Sequence, residues 1–264
     1  MESRTIRGVV AVIACALTVC VARAAILQQT GQYALAQGKP QIVSRLSLIN
    51  GRNGLQTLVL AQYAPHSTAP LTRYVLTEGE PLHIVIVRDD FQSFGHVHPQ
   101  MAQNGVFRVP YLLERGHRYY AYVASQPVAT PEQAFRFVLQ TSAPPHRLTA
   151  TIAAPSKNSV NVGPYIVSSV GRIPEHTKSW FGIHIVHNGR PWGGTVAYHN
   201  ADMDAVLINV ATLQFAQVDG FATQGICCDY QMRMPALPRG LYRMWLQFDD
   251  GKAVYTAPLT FAAR

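Results

Sequence analysis

The chain is short of cysteine, short of charge and short of helical periodicity. Among its 264 residues are four cysteines, Cys15, Cys20, Cys227 and Cys228, the last two adjacent in "QGICCDY". Neighbouring cysteines close only a strained small ring or pair between chains, so a disulfide framework is excluded. Charged residues make up 14% of the chain, and the lysines and arginines that outnumber the acids (22 against 14) stand singly, not in clusters with aromatics. That scatter excludes a nucleic-acid-binding surface. There is no Gly-x-Ser-x-Gly elbow, no phosphate-cradling glycine loop, no zinc-finger spacing and no His-Glu-x-x-His run, so no catalytic signature is present and a non-enzymatic protein is expected. What the chain has is apolar content: 48% hydrophobic residues, enough for one large or two ordinary globular domains.

The longest apolar run is N-terminal. "MESRTIR" is a short basic lead, "GVVAVIACALTVCVA" spans Gly8 to Ala22, and Ala22-Arg23-Ala24 offers the small residues a signal peptidase reads. Residues 1–24 are therefore expected to be a secretory signal, giving a periplasmic or secreted protein. The run falls short of the roughly 20 apolar residues of a spanning helix. Val12-Ile13-Ala14-Cys15 offers an alternative, a lipoprotein signal anchored at Cys15, and membrane association is expected only if the segment is lipidated or left uncleaved. Cleavage removes Arg4, Arg7, Arg23 and Glu2, lowering the net charge from +8 to +6. In an oxidising compartment, Cys227 and Cys228 are one buried and one exposed thiol, a vicinal disulfide, or a soft-metal thiolate pair.

Beyond residue 25 the pattern is one of short strands. "LQTLVLAQY", "LHIVIV", "YYAYVA", "FRFVLQ", "LTATIAA", "FGIHIVH", "AVLINVATLQF", "YRMWLQF" and "AVYTAPLTF" alternate or run apolar, and "NGRNG", "TEGEP", "RDD", "QNG", "NGRP" and "DDG" punctuate them. The fold class is all-β: two tandem immunoglobulin-like antiparallel β-sandwich domains after the signal peptide. The two halves also match each other. "HIVIVRDDFQSFGHVHP" then "GVFRVPYLLERGHRYYAYVA" parallels "DAVLINVATLQFAQVDG" then "DYQMRMPALPRGLYRMWLQF". In that alignment Phe94 falls on Phe215, His96 on Gln217, Val97 on Val218 and His98 on Asp219. The apolar framework recurs and the imidazoles do not, so the fold does not require the histidines. "QTSAPPH" is the natural linker, dividing the chain at 25–144 and 145–264.

The stretch "HIVIVRDDFQSFGHVHPQ" carries the candidate chemistry. On a hairpin, His96 and His98 point the same way about 7 Å apart along the strand. A four-residue loop, Arg88 to Phe91, puts His83 directly across from His96, with Cβ atoms about 5 Å apart. A five-residue loop turns His83 to the other face. The even register gathers three neutral imidazoles suited to copper or zinc, with Met101 a possible thioether ligand favouring Cu(I). The competing reading is that His96 and His98 only bracket a turn before Pro99. His117 is a more distant candidate. In "HIVH", His184 and His187 lie on opposite faces, one lining the core. Asp89, Asp90, Asp202 and Asp204 read as solvated turn acids.

Through His83 to Pro99, "QNGVFRV" and "RGHRYYAYV", and in the second half through "HNGRPWGG" and "LPRGLYRMWLQF", the chain resembles exported bacterial proteins of the YtkA-like and heavy-metal-associated type. The resemblance implies an immunoglobulin-like sandwich of the cell envelope, beside copper or other metal-handling proteins. Because Gln217 and Asp219 stand at the positions of His96 and His98, it implies a site in the first repeat alone. The expected function is transition-metal binding, copper first, through His83, His96 and His98, the partners being the metal ion and an envelope metal-handling protein. The rival expectation is a metal-free structural or interaction module.

Overall fold

The computed structural model describes residues 25–27, 40–53, 55–140, 152, 158–198, 201–223 and 229–264. The signal segment, the linker at His146, and the Cys227–Cys228 pair lie outside the described residues.

The described chain is all strand and turn. The first half contains β1 (Ala25–Leu27), β2 (Val43–Asn50), β3 (Leu55–Tyr63), β4 (Tyr74–Val75), β5 (Leu82–Arg88), β6 (Phe94–Val97), β7 (Gln100–Met101), β8 (Val106–Leu112), β9 (Arg118–Pro127) and β10 (Gln133–Gln140). The second contains β11 (Ser159–Val162), β12 (Tyr165–Val170), β13 (Ser179–His187), β14 (Arg190–Pro191), β15 (Met203–Asn209), β16 (Phe215–Ala222), β17 (Asp229–Met234), β18 (Gly240–Asp249) and β19 (Val254–Ala263).

Two antiparallel sheets, β1-β2-β3-β8-β7 and β10-β9-β5-β6, make the first sandwich. Alternation decides which side chains meet between them: Leu46, Leu58, Leu60 and Phe107 from one sheet pack on Leu82, Ile84, Ile86, Ala121 and Phe137 from the other. In the second half the layers belong to one continuous sheet, β11-β12-β13-β17-β16-β15-β18-β19, with β14 paired to β13. It curls until β11 lies against β19, enclosing a core that includes Phe181, Ile183, Met203, Leu207, Met232 and Leu246. Pro258 is tolerated because β19 is the sheet's edge strand.

Strands β5 and β15 read as unbroken apolar runs because both of their faces are covered. Ile84 and Ile86 point into the first core and Leu207 into the second, while Val85, Val87, Val206 and Ile208 point at the opposite half. Phe91, Tyr122, Phe215 and Trp245 complete this third apolar cluster. The internal repeat shapes the junction directly. Val87 pairs with Phe94 across one hairpin and Ile208 with Phe215 across the other, so each connection is six residues long. The contacts across the junction are reciprocal: Phe94 stacks on Trp245 at 4.9 Å, and Phe215 stacks on Tyr122, the counterpart of Trp245, at 5.1 Å. The halves meet as a pseudo-two-fold pair, one self-complementary face used twice.

Candidate metal centre at the junction of the repeats

The same face turns polar at the end of the hairpins. Six residues, Arg88 to Ser93, connect Val87 to Phe94, where four or five were expected. The acidic turn is extended because Arg88 still hydrogen-bonds across it to Ser93, and Phe91 turns the chain at φ 59°. Six is even, so His83 shares the face of His96 and His98. The longer loop shifts the register by two, and the partner directly across from His83 is His98 instead of His96. Gly95 holds the strand close on the other side: a side chain there would meet the Tyr111 ring.

One ring nitrogen from each histidine converges. His83 Nδ1 lies 3.3 Å from His96 Nε2 and 3.1 Å from His98 Nε2, with all three ligand atoms within 4.8 Å of one another. His83 is 3% exposed and the side chain of His96 is fully buried, while His98 is half-buried at the rim. The outward nitrogens are held by acceptors. His83 Nε2 donates to the Thr77 carbonyl at 2.8 Å, and His96 Nδ1 faces Gln247 Oε1 at 2.9 Å and Asp204 Oδ2 at 3.4 Å.

Gln247 and Asp204 come from the second repeat, so the cluster is not confined to the first. By the offset that aligns the hairpins, Asp204 takes the place of His83, Gln217 of His96 and Asp219 of His98. Imidazoles on one repeat face carboxylates on the other. Asp204 had read as a turn acid, but β15 begins before it, and it is 1% exposed. Glu78 joins from the tight turn Thr77–Glu80, with its Oε2 3.8 Å from His83 Nδ1 and its Oε1 accepting a hydrogen bond from Gln217 Nε2 at 2.9 Å. Glu78, Asp204 and Asp219 each offer an oxygen within 4.8 Å of the others. Sequence reading missed these acids because Glu78 and Asp204 sit in turn-like contexts. The available signal was the repeat register, which pairs acids with histidines position by position.

The charges act on one another. Burial, then the charges of Asp204 and Asp219, push Glu78 up to about 8, against the lowering effect of His96 and the Gln217 hydrogen bond. Burial first and Asp204 second raise Asp219. At His96 burial opposes the charged ring, but the bond to Asp204, its charge, Gln247 and Glu78 outweigh it and hold the imidazole above its ordinary value. Beyond that His96 contact, neither oxygen of Asp204 has a hydrogen bond. At alkaline pH, where His96 is neutral, Asp204→Asn is expected to stabilise the metal-free protein by about 1 kcal/mol, because a buried carboxylate is replaced by an amide able to donate to its acidic neighbours. Chemical denaturation checks it, and a loss of stability would show that the His96–Asp204 pair is net stabilising.

The remaining candidates lie elsewhere. Met101 is in β7 of the other sheet, paired with Phe107 and 38% exposed. His117 flanks Arg118 at the far end of the β5–β9 pair, about 23 Å along the strand from His83, and lies 3.8 Å from Glu114. Asp90, expected to be solvated, is buried and held by Arg88 Nε and the Gln92 amide, both at 2.9 Å. His184 and His187 are both half-buried, where one was expected in the core, and His187 packs on the Tyr165 ring.

No protein-family model matches the chain and no curated protein matches it. Solved structures with some likeness include the FN1–FN3 domains of chicken CNTN1 (12% identity over 80% of this chain, TM-score 0.21). Another is residues 217–571 of S. aureus TarS (9% identity over 85% of this chain, TM-score 0.22). The chain spans 60% and 62% of those two chains, and at such scores neither likeness bears on function.

Proposed function

We propose that this is an exported, non-enzymatic protein that binds a transition metal, copper in the first instance and zinc as the alternative, through His83, His96 and His98. One observation carries the reading. Thr77 can only accept, so Nε2 of a neutral His83 bears the hydrogen and Nδ1 presents a lone pair. His96 Nδ1 faces the Gln247 and Asp204 oxygens, so its Nε2 presents a lone pair too. These two lone pairs face each other at 3.3 Å on buried side chains. A proton or a metal ion between them makes that arrangement favourable. Four tetrahedral ligands at about 2.0–2.1 Å stand roughly 3.3 Å apart, close to the two separations from His83 Nδ1. The carbonyl and carboxylate behind the rings are the outer contacts that fix a ligating imidazole's tautomer. With Met101 exposed on the other sheet, imidazole and carboxylate surroundings favour Cu(II) or Zn(II) over Cu(I).

Titration of the purified protein with Cu(I), Cu(II) and Zn(II), beside a His96→Ala/His98→Ala variant, tests the proposal. Wild type is expected to take up one equivalent at the imidazoles and the variant to lose it. Equal and weak uptake by both proteins would sink the idea.

The interaction-module reading has its own support. Ile166, Val170 and Trp180 share the outer face of β12–β13 and are 45%, 56% and 63% exposed, a grouping that commonly marks a contact surface. It does not explain the converging imidazoles, and the metal reading is preferred.

A further inference from the structure

We propose that Glu78, Asp204 and Asp219 hold a second, hard divalent cation beside the histidine cluster, making the junction between the repeats a two-metal centre. The pairing of two ions rests on the histidine reading above, whereas the second site stands on the carboxylates.

The placement of the acids is costly unless something positive sits among them. Asp204 and Asp219 are directly opposed across β15 and β16, where like charges repel. Glu78 is brought to the same spot from the other repeat, so three carboxylate oxygens from two halves of the chain meet within 4.8 Å. Asp204 is the decisive member. It is 1% exposed, its Oδ1 has no hydrogen-bond partner, and its Oδ2 is approached by His96 Nδ1 at 3.4 Å. Its polar neighbour, His96 Nδ1, has one hydrogen and sits closer to Gln247 Oε1, at 2.9 Å against 3.4 Å. A buried carboxylate with unused lone pairs, aimed at two other carboxylates, is an oxygen-ligand set awaiting a cation.

Access is also provided. A cleft of about 170 Å³, lined by Thr77, Glu78, His83, Glu132, Gln217 and Asp219 among others, reaches two of the three acids, and Asp219 stands exposed at its edge. Three carboxylates line this cleft in a chain of net charge +8. It is a local negative funnel in a basic protein, which draws cations specifically to this point. An all-oxygen set selects Mn²⁺, Mg²⁺ or Ca²⁺, whereas the imidazoles select copper or zinc, so the two sites are separable by metal type.

Equilibrium dialysis of the whole protein, first saturated with Cu²⁺ and then exposed to Mn²⁺, provides the test, with Mn²⁺ followed by its EPR signal. One equivalent of Mn²⁺ beyond the copper is expected. Asp219→Asn, at an exposed position that leaves the fold intact, should weaken Mn²⁺ binding about tenfold or more while leaving Cu²⁺ uptake unchanged. His98→Ala should do the reverse. Mn²⁺ uptake that is absent, or indifferent to Asp219→Asn, overturns the proposal. Mn²⁺ binding without copper binding upholds the carboxylate site and overturns the histidine reading instead. Uptake of neither ion overturns both.

Discussion

Replacing Trp245 with alanine is expected to lower the unfolding free energy by about 3–5 kcal/mol, the range for a large aromatic removed from a packed core. The indole is 2% exposed although it points away from the core of its own repeat. It is buried by the other half of the chain, stacking on Phe94 at 4.9 Å and Phe91 at 6.2 Å, with the Arg243 guanidinium 5.9 Å from the ring. Its counterpart Tyr122 stacks on Phe215 and donates its hydroxyl to the Leu213 carbonyl at 3.0 Å. Each half thus supplies an aromatic that the other half covers. Loss of one should weaken the docking of the repeats more than it disturbs either sandwich. Urea unfolding followed by fluorescence and far-UV circular dichroism would show a lowered midpoint and transitions that no longer coincide. A change under about 1 kcal/mol with a single shared transition would mean that the repeats do not depend on this face.

The strand inventory was legible in the sequence because alternation and turn punctuation are local signals. "LQTLVLAQY" is β3 to the residue, and "HNGRP" gives a tight turn with Asn188 and Gly189 both at positive φ. The repeat register was legible as well, since Phe94 and Phe215 do occupy matching places in their hairpins. The use made of that register was not. Nothing local distinguishes a β5 buried against its partner sheet from one buried on both sides, and the clue, an unbroken apolar "LHIVIV", also fits an ordinary strand. The carboxylate half of the site was lost for the same reason. Asp204 looks like a turn residue until the opposite repeat is placed over it. Hairpin length failed for a local cause, because "RDDFQS" contains no glycine to mark its tip and Phe91 takes the left-handed conformation instead. Parity had stood open between a four- and a five-residue loop, and the even count of the six-residue connection gathers the histidines.

Among single substitutions, His83→Ala is expected to have the largest effect on metal uptake, weakening it by more than about 100-fold, beyond the 10–100-fold typical of residues that only orient a ligand. Both short imidazole contacts meet at its Nδ1, at 3.3 Å from His96 and 3.1 Å from His98. Its orientation is also the most constrained of the three, with Nε2 tied to the Thr77 carbonyl and the ring 3% exposed. His98, half-buried at the rim, can move and be partly replaced by water, so His98→Ala should cost less. The ranking has a second readout in stability. A ligand at 100 times its dissociation constant stabilises the folded state by about 2.7 kcal/mol, and that increment should appear for wild type in thermal melts with and without Cu²⁺ or Zn²⁺. His83→Ala should abolish it at the same metal concentration, while His98→Ala should retain part of it. The metal-free melting temperatures separate this from a packing defect, since a variant that unfolds early but keeps the full metal increment would show His83 to be structural only. Equal losses for the two variants would remove His83 from the centre of the site and leave the rim histidine with the same weight.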